Sequence, residues 1–235
     1  MGAQKIKTRV VCVIGLLFYI GTLSAQATFG DKKGKSHVIS LSAGIASPYK
    51  AISRWDERDK NSYPAAWEIQ GKGLEYVAEW GYGILFSGYR YKDKYHVENV
   101  YEQNIHEDIL LIYLAPQISY RQEETLFSGV NAHYEAGIGY TLYSNKSRYI
   151  NSVERANLSG AGGNVTVGLD YYFTPQWGIG LDAGILGVVL KNKNSQWMLQ
   201  SKKNIKILQI NAVIGLKYCF RKLRKECNLL ELSVG

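Results

Sequence analysis

Between Gly168 and Gly184 the chain alternates strictly between two kinds of residue. Leu169, Tyr171 and Phe173 fall on one face, and Gly168, Asp170 and Tyr172 on the other. Thr174-Pro175-Gln176 interrupts the pattern. It resumes with Trp177, Ile179, Leu181 and Ala183 opposite Gly178, Gly180, Asp182 and Gly184. Period-two alternation on both sides of a short Pro-containing turn predicts a β-hairpin. One face is aliphatic, with aromatics bunched at the turn; the other is glycine and carboxylate. A soluble sandwich would bury the aliphatic face. A transmembrane barrel would show it to lipid, ring its ends with aromatics and turn small and polar residues into the lumen.

The same period recurs along the chain. Strand one is expected over His37–Ile45, with Ile39, Leu41, Ala43 and Ile45 on one face and Ser40, Ser42 and Gly44 on the other, and a long loop over Ser47–Pro64. Strand two runs over Trp67–Glu79, with Leu74 and Tyr76 opposite Gly73 and Glu75, and Trp80-Gly81 marks a tight turn into strand three. The charged, tyrosine-rich stretch Tyr91–Glu107 reads as a second long loop. Strand four covers Ile109–Tyr120, where Pro116 removes a ladder hydrogen bond and predicts a bulge. Gln122–Thr125 is a short turn and strand five covers Leu126–Tyr143. Ser144–Gly163 is a third long loop, followed by the hairpin above as strands six and seven. Lys191–Asn204 is a fourth loop, and strand eight, Ile205–Phe220, alternates Leu208, Ile210, Ala212, Ile214, Leu216, Tyr218 and Phe220 against Gln209, Asn211, Gly215 and Lys217.

Eight strands joined by alternating long and short connections, most with the roughly 9–11 residues a tilted membrane strand needs, predict an all-β, antiparallel, up-and-down transmembrane β-barrel. Aromatics band toward the short-turn end (Trp80, Tyr82, Tyr120, Phe127, Phe173, Trp177, Tyr218, Phe220) and toward the other end (Tyr89, Tyr91, Tyr140, Tyr143, Tyr149). Such girdles anchor a protein at two membrane interfaces. An internal echo supports a meander: Gly73-Leu74-Glu75-Tyr76 then Trp80-Gly81-Tyr82-Gly83, against Gly168-Leu169-Asp170-Tyr171 then Trp177-Gly178-Ile179-Gly180.

Composition adds a compartment. Lys5, Lys7 and Arg9 precede an apolar run, Val10–Leu23, and Ala25-Gln26-Ala27 offers a small-residue cleavage site, so residues 1–27 read as a signal peptide. The chain of 235 residues carries a formal charge of +8, and removing residues 1–27 leaves +5, too mild to argue a nucleic-acid partner. Cys12 lies at the start of the apolar run and suits lipid attachment poorly. Cys219 and Cys227 either pair in an oxidising compartment or stand as separate thiols.

With its G-L-[D/E]-Y…W-G-φ-G hairpins and its closing Gly215-Leu216-Lys217-Tyr218-Cys219-Phe220, the chain resembles the small eight-stranded outer-membrane barrels, the OmpA/OmpX-like family, over about residues 36–220. The resemblance implies an outer-membrane protein of a Gram-negative bacterium. It also implies that Gly215, Tyr218 and Phe220 belong to the terminal-strand signal read by the barrel assembly machinery. That signal usually ends such chains, whereas a short basic tail, 221–235, follows it here. The tail is too short for a peptidoglycan-binding domain.

An eight-stranded barrel is filled by its own side chains. The expected lumen set is Glu75, Arg121, His133, Glu135, Asp170, Asp182 and Lys217. Asp170, Asp182, Glu75 and Lys217 lie at similar heights as pairing candidates. Such a set serves either as a structural polar core or as a narrow gated ion path; diameter alone disfavours a broad metabolite porin. The histidines show no metal-ligand spacing, and no catalytic or cofactor motif is found. Gly160-Ala161-Gly162-Gly163-Asn164-Val165 lacks the last glycine of a dinucleotide fingerprint and reads as a loop cluster. His133-Tyr134-Glu135-Ala136 does not match the His-x-Ser-Asn pattern of lipid A deacylases of this shape. Function is then expected on the loops, with Trp55, Tyr95, Tyr101, Tyr149 and Trp197 as contact aromatics. Lysines of the fourth loop are placed to meet lipopolysaccharide phosphates. The expected partners are outer-membrane lipid and lipopolysaccharide, the assembly machinery and an extracellular ligand, for a monomer. A lipid-modifying barrel enzyme and a secreted lipocalin-like carrier are the alternatives.

Overall fold

The computed structural model describes residues 35–48, 66–97, 103–122, 130–148, 153–191 and 204–221. Eight strands close into one barrel in sequence order: β1 Lys35–Pro48, β2 Ala66–Val77, β3 Trp80–Val97, β4 Gln103–Arg121, β5 Val130–Arg148, β6 Val153–Tyr172, β7 Trp177–Lys191 and β8 Asn204–Arg221. Every neighbouring pair is antiparallel, and β1 closes on β8 from Ser36↔Arg221 to Pro48↔Gln209. Closure removes the sheet edges that a lipid environment could not satisfy.

The aliphatic face points out. Ile138 is 77% exposed and Leu41 66%, whereas lumen-facing Gln117 and Thr141 are 2% and 0% exposed. This is the reverse of a soluble carrier, which would keep its apolar face inside, so the geometry does not fit the lipocalin-like reading. Around the short-turn end the outward aromatics form a girdle. Trp80 packs on Tyr120 at 5.1 Å between ring centroids, Trp177 on Tyr218 at 4.7 Å, and Tyr218 on Phe220 at 4.5 Å. Phe127 of the expected girdle lies outside the described residues. At the opposite end the expected girdle fails in part: Tyr89, Tyr91 and Tyr143 are buried in the lumen, and only Tyr140 faces out. Tyr149 lies outside the described residues.

Several expected loops are strand. β3 runs on to Val97 and β4 begins at Gln103, so most of Tyr91–Glu107 is ladder, paired from Tyr91↔Ile109 to Val97↔Gln103. β5 and β6 pair up to Arg148↔Val153, so Ser144–Gly163 is a hairpin, and the cluster Gly160–Val165 is part of β6. Pro116 makes no bulge. β5 skips Ala115 and Pro116, but the register is the same on either side, Leu114↔Tyr140 and Gln117↔Gly137.

The β2–β3 turn is tight, with Val77 paired to Trp80 and Ala78 at a positive φ of 56°. The β6–β7 connection is longer and lets Tyr172 pair with Gly178. That difference inverts one half of the sequence echo. Leu169 and Tyr171 face lipid, whereas Leu74 and Tyr76 face the lumen and Glu75 faces outward. Glu75 is therefore not a lumen residue. It sits at the short-turn edge of the outer face, 3.5 Å from Lys35 Nζ and 4.0 Å from His37 Nδ1.

Candidate functional site: the lumen charge cluster and its apolar seals

Alternation along β2 sets the lumen in layers. Moving away from the short turn, its inward residues are Tyr76, Leu74, Lys72, Gln70, Glu68 and Ala66. Tyr76 and Leu74 join Val38 and Cys219 in a small apolar cluster, with Tyr172 packed against it. The Tyr76 hydroxyl lies 2.7 Å from Ser119 Oγ, and the Arg121 guanidinium stacks over the Tyr76 ring at 4.2 Å. Cys219 is a free, buried thiol here; Cys227 lies outside the described residues.

Above this layer is the charge cluster. Lys72 Nζ donates to Glu135 Oε2 at 2.7 Å and to Asp182 Oδ2 at 2.5 Å. Lys217 Nζ lies 2.5 Å from Asp170 Oδ1 and 3.7 Å from Asp182 Oδ1. His133 stands between the carboxylates, its Nδ1 3.4 Å from Asp170 and its Nε2 3.2 Å from Asp182 and 3.6 Å from Glu135. All six side chains are essentially buried. Burying this much charge is costly unless each group is paired, and here each group faces an opposite charge or the imidazole. The glycines of the opening hairpin make the room. A Cβ on Gly168 would collide with His133 Cε1 and Asp182 Oδ1, and one on Gly180 would collide with Lys217 Cε.

His133, Asp170 and Asp182 bring donor atoms within 4.8 Å of one another. Lys72 and Lys217 pair with those carboxylates, which makes the trio part of an ion-pair network; within it both imidazole nitrogens, Asp170 Oδ1 and Asp182 Oδ1 make no hydrogen bond. His133, 1% exposed, is also beyond the reach of a lipid chain.

Of the expected lumen set, His133, Glu135, Asp170, Asp182 and Lys217 come together. Arg121 lies apart at the mouth, and Glu75 is outside. Lys72 is the cation that sequence reasoning missed. Glu68, Gln70 and Lys72 at every second position, opposite Trp67 and Ile69, carried the signal. Glu68 anchors the next layer. Its carboxylate accepts from Gln70 Nε2 at 2.9 Å, Ser87 Oγ at 2.6 Å, Gln209 Nε2 at 3.2 Å and Asn211 Nδ2 at 3.1 Å. Beside it Gln117 and Asn164 exchange amide hydrogen bonds, and the Tyr113 hydroxyl donates to Asn164 Oδ1 at 3.0 Å.

A thick apolar layer closes the long-loop half. It includes Ala46, Ala66, Tyr89, Leu111, Tyr143, Leu190 and Ile207, with Leu158 packed against it, so all eight strands contribute. The charge cluster is thus held between two apolar layers.

Gly215, Tyr218 and Phe220 lie on β8, with Gly215 toward the lumen, Phe220 toward lipid and Tyr218 between Trp177 and Phe220 in the girdle. Tyr95 belongs to the β3 ladder, opposite Ile105, rather than to a loop. Trp55, Tyr101, Tyr149 and Trp197 lie outside the described residues.

A closed barrel with a lipid-facing apolar band, an aromatic girdle and a polar, filled interior is a transmembrane β-barrel of the outer-membrane kind. Solved structures share this fold. The chain is similar to Neisserial surface protein A at 14% identity and a TM-score of 0.50, covering 78% of this chain and 97% of that one. A major outer membrane protein from Thermus thermophilus matches at 10% identity and a TM-score of 0.48, covering 79% and 99%. OprG from Pseudomonas aeruginosa matches at 13% identity and a TM-score of 0.44, covering 81% and 98%. No protein-family model matches the chain, and no curated protein does.

Proposed function

We propose that the protein is an outer-membrane barrel that works as a surface-interaction platform rather than as a conduit. The observation behind this reading is the height of its central strands. β3 to β6 have 18, 19, 19 and 20 residues, against the roughly 9–11 that cross a bilayer. Along β5 the outward face is apolar from Tyr134 to Leu142 and then turns polar at Ser144, Lys146 and Arg148. The surplus carries two hairpins past the lipid band as a stiff four-stranded extension. Binding surfaces gain from such rigidity, because less order must be imposed when a partner docks.

The test uses cells displaying the protein with the extension shortened, residues 93–107 and 146–155 each replaced by a tight turn. Adhesion to immobilised matrix glycoproteins and cell–cell aggregation are measured. The expected result is loss of a surface phenotype that the full-length chain confers, with the heat-dependent SDS gel shift of the folded barrel retained. Equal behaviour of both chains would overturn the reading.

A further inference from the structure

The two edges of the lipid-facing band differ in charge. At the short-turn edge the outward charged groups on the described strands are Lys35 and Glu75, paired with each other, beside His37, and Glu79 lies in the β2–β3 turn. At the long-loop edge the outward basic residues are Arg90, Lys92, Lys146, Arg148, Arg155, Lys191 and Lys206, against one acid, Asp108, among the described residues. Asp108 is the cross-strand neighbour of Lys146, but its carboxylate is already taken. Arg90 holds it through two hydrogen bonds, Nε to Oδ1 at 3.0 Å and Nη2 to Oδ2 at 2.8 Å.

The excess is sharpest on β5 and β6. Lys146 and Arg155 are direct cross-strand partners, and Arg148 projects from the same face two residues further along β5. Like charges placed opposite one another destabilise a ladder. Among the described residues no carboxylate comes within salt-bridge distance of these three. Yet the face does not lead away into bulk water. Ser144 and Asn157, hydrogen-bonded to each other at 2.9 Å, separate the patch from lipid-facing Leu142. Four residues of a tilted strand rise about 10 Å, which puts the patch at the depth of lipid headgroups.

We propose that Lys146, Arg148 and Arg155 form a binding site for the phosphate groups of an anionic lipid, the phosphorylated glycolipid of the outer leaflet. Arginine matches phosphate oxygens with a two-pronged fork and lysine adds a point charge. An anion seated between the strands would relieve the Lys146–Arg155 opposition, and the one-sided charge of the barrel would match a membrane whose outer leaflet is the more anionic. The proposal rests on the outer-membrane reading for its orientation. It differs from the loop-lysine expectation, since its residues lie on strands of the rigid wall.

The test is native mass spectrometry of the folded mature barrel in detergent, titrated with bisphosphorylated lipid A, dephosphorylated lipid A and phosphatidylglycerol. The expected result is tightest binding of the bisphosphorylated form, weakening with salt. Binding should fall about tenfold in K146Q/R148Q/R155Q and stay unchanged in K35Q at the opposite edge. Equal binding by the triple variant, or by the dephosphorylated lipid, would overturn the site. Preference for phosphatidylglycerol would show a general anionic patch and overturn it as well. The heat-dependent gel shift of each variant reports the fold separately, and adhesion reports the platform reading, so failure of one is distinguishable from failure of the other.

Discussion

Asp182 is the residue on which the charge cluster turns, since it touches both lysines and His133. Replacing it with Asn removes one charge and leaves two ammonium groups sharing Glu135 and Asp170. Breaking a buried pair by removing one partner costs about 3–5 kcal/mol. The expected outcome for Asp182→Asn is a loss of that order in urea unfolding from lipid vesicles, followed by tryptophan fluorescence. A loss below about 1 kcal/mol would mean that water compensates the cluster. Gly168→Ala tests the same cluster from the other side. Its methyl group would press on the imidazole and on Asp182, and the expected penalty is about 1–3 kcal/mol from overpacking. Asp182 and Gly168 were legible from alternation alone. Lys72 was not paired with them, because Gly73-Leu74-Glu75-Tyr76 looks like Gly168-Leu169-Asp170-Tyr171 and invites the same facing.

At the scale of the element, turn length decides which face a strand shows. A hairpin's register follows from its turn, and a one-residue change sends every side chain to the other face. Val77↔Trp80 and Tyr172↔Gly178 differ in this way, so two similar sequences face oppositely. The tight turn holds Ala78 at φ 56°, where a Cβ is crowded and glycine is free. Ala78→Gly is therefore expected to stabilise the barrel by about 1 kcal/mol, and Ala78→Val to destabilise it, in the same unfolding assay. The wall makes a second prediction. Ile138 stands at the centre of the outward band of β5, so Ile138→Arg should cost about 2–4 kcal/mol, while Val153→Arg, past the lipid, should cost about 0–1 kcal/mol. Equal costs would mean that the band does not sit in lipid. The upper strands were illegible for a related reason. Alternation appears where one face meets lipid and the other the lumen. Beyond the lipid the outward position after Arg90 is Lys92 rather than an aliphatic, while Tyr91 is buried in the lumen, and the polarity of Tyr91-Lys92-Asp93-Lys94-Tyr95 imitates a loop.

For the whole molecule the question is whether anything crosses it. An eight-stranded barrel has an interior just wide enough for its side chains, and sequence alone left a polar core and a gated ion path both open. The layers argue physically for the polar core. An ion entering from the long-loop end passes buried Glu107, which accepts from Asn145 Nδ2 and Ser147 Oγ at 3.4 Å, and then meets Leu111, Leu190, Ile207 and Tyr143, where shedding its hydration has no compensating ligand. One entering from the other end meets the Tyr76–Arg121 stack and then carboxylates already paired with Lys72 and Lys217. The wild-type barrel in a planar bilayer is therefore expected to give no discrete conductance steps under an applied voltage. Leu111→Ala combined with Leu190→Ala removes side chains that β4 and β7 contribute to the apolar seal, at about 2–5 kcal/mol each. It should leave a folded barrel with a lower unfolding midpoint and a leak that the wild type lacks. Regular unitary steps from the wild type would show that the seal opens, and the lumen charges would then have to be read as a pathway rather than as a strut.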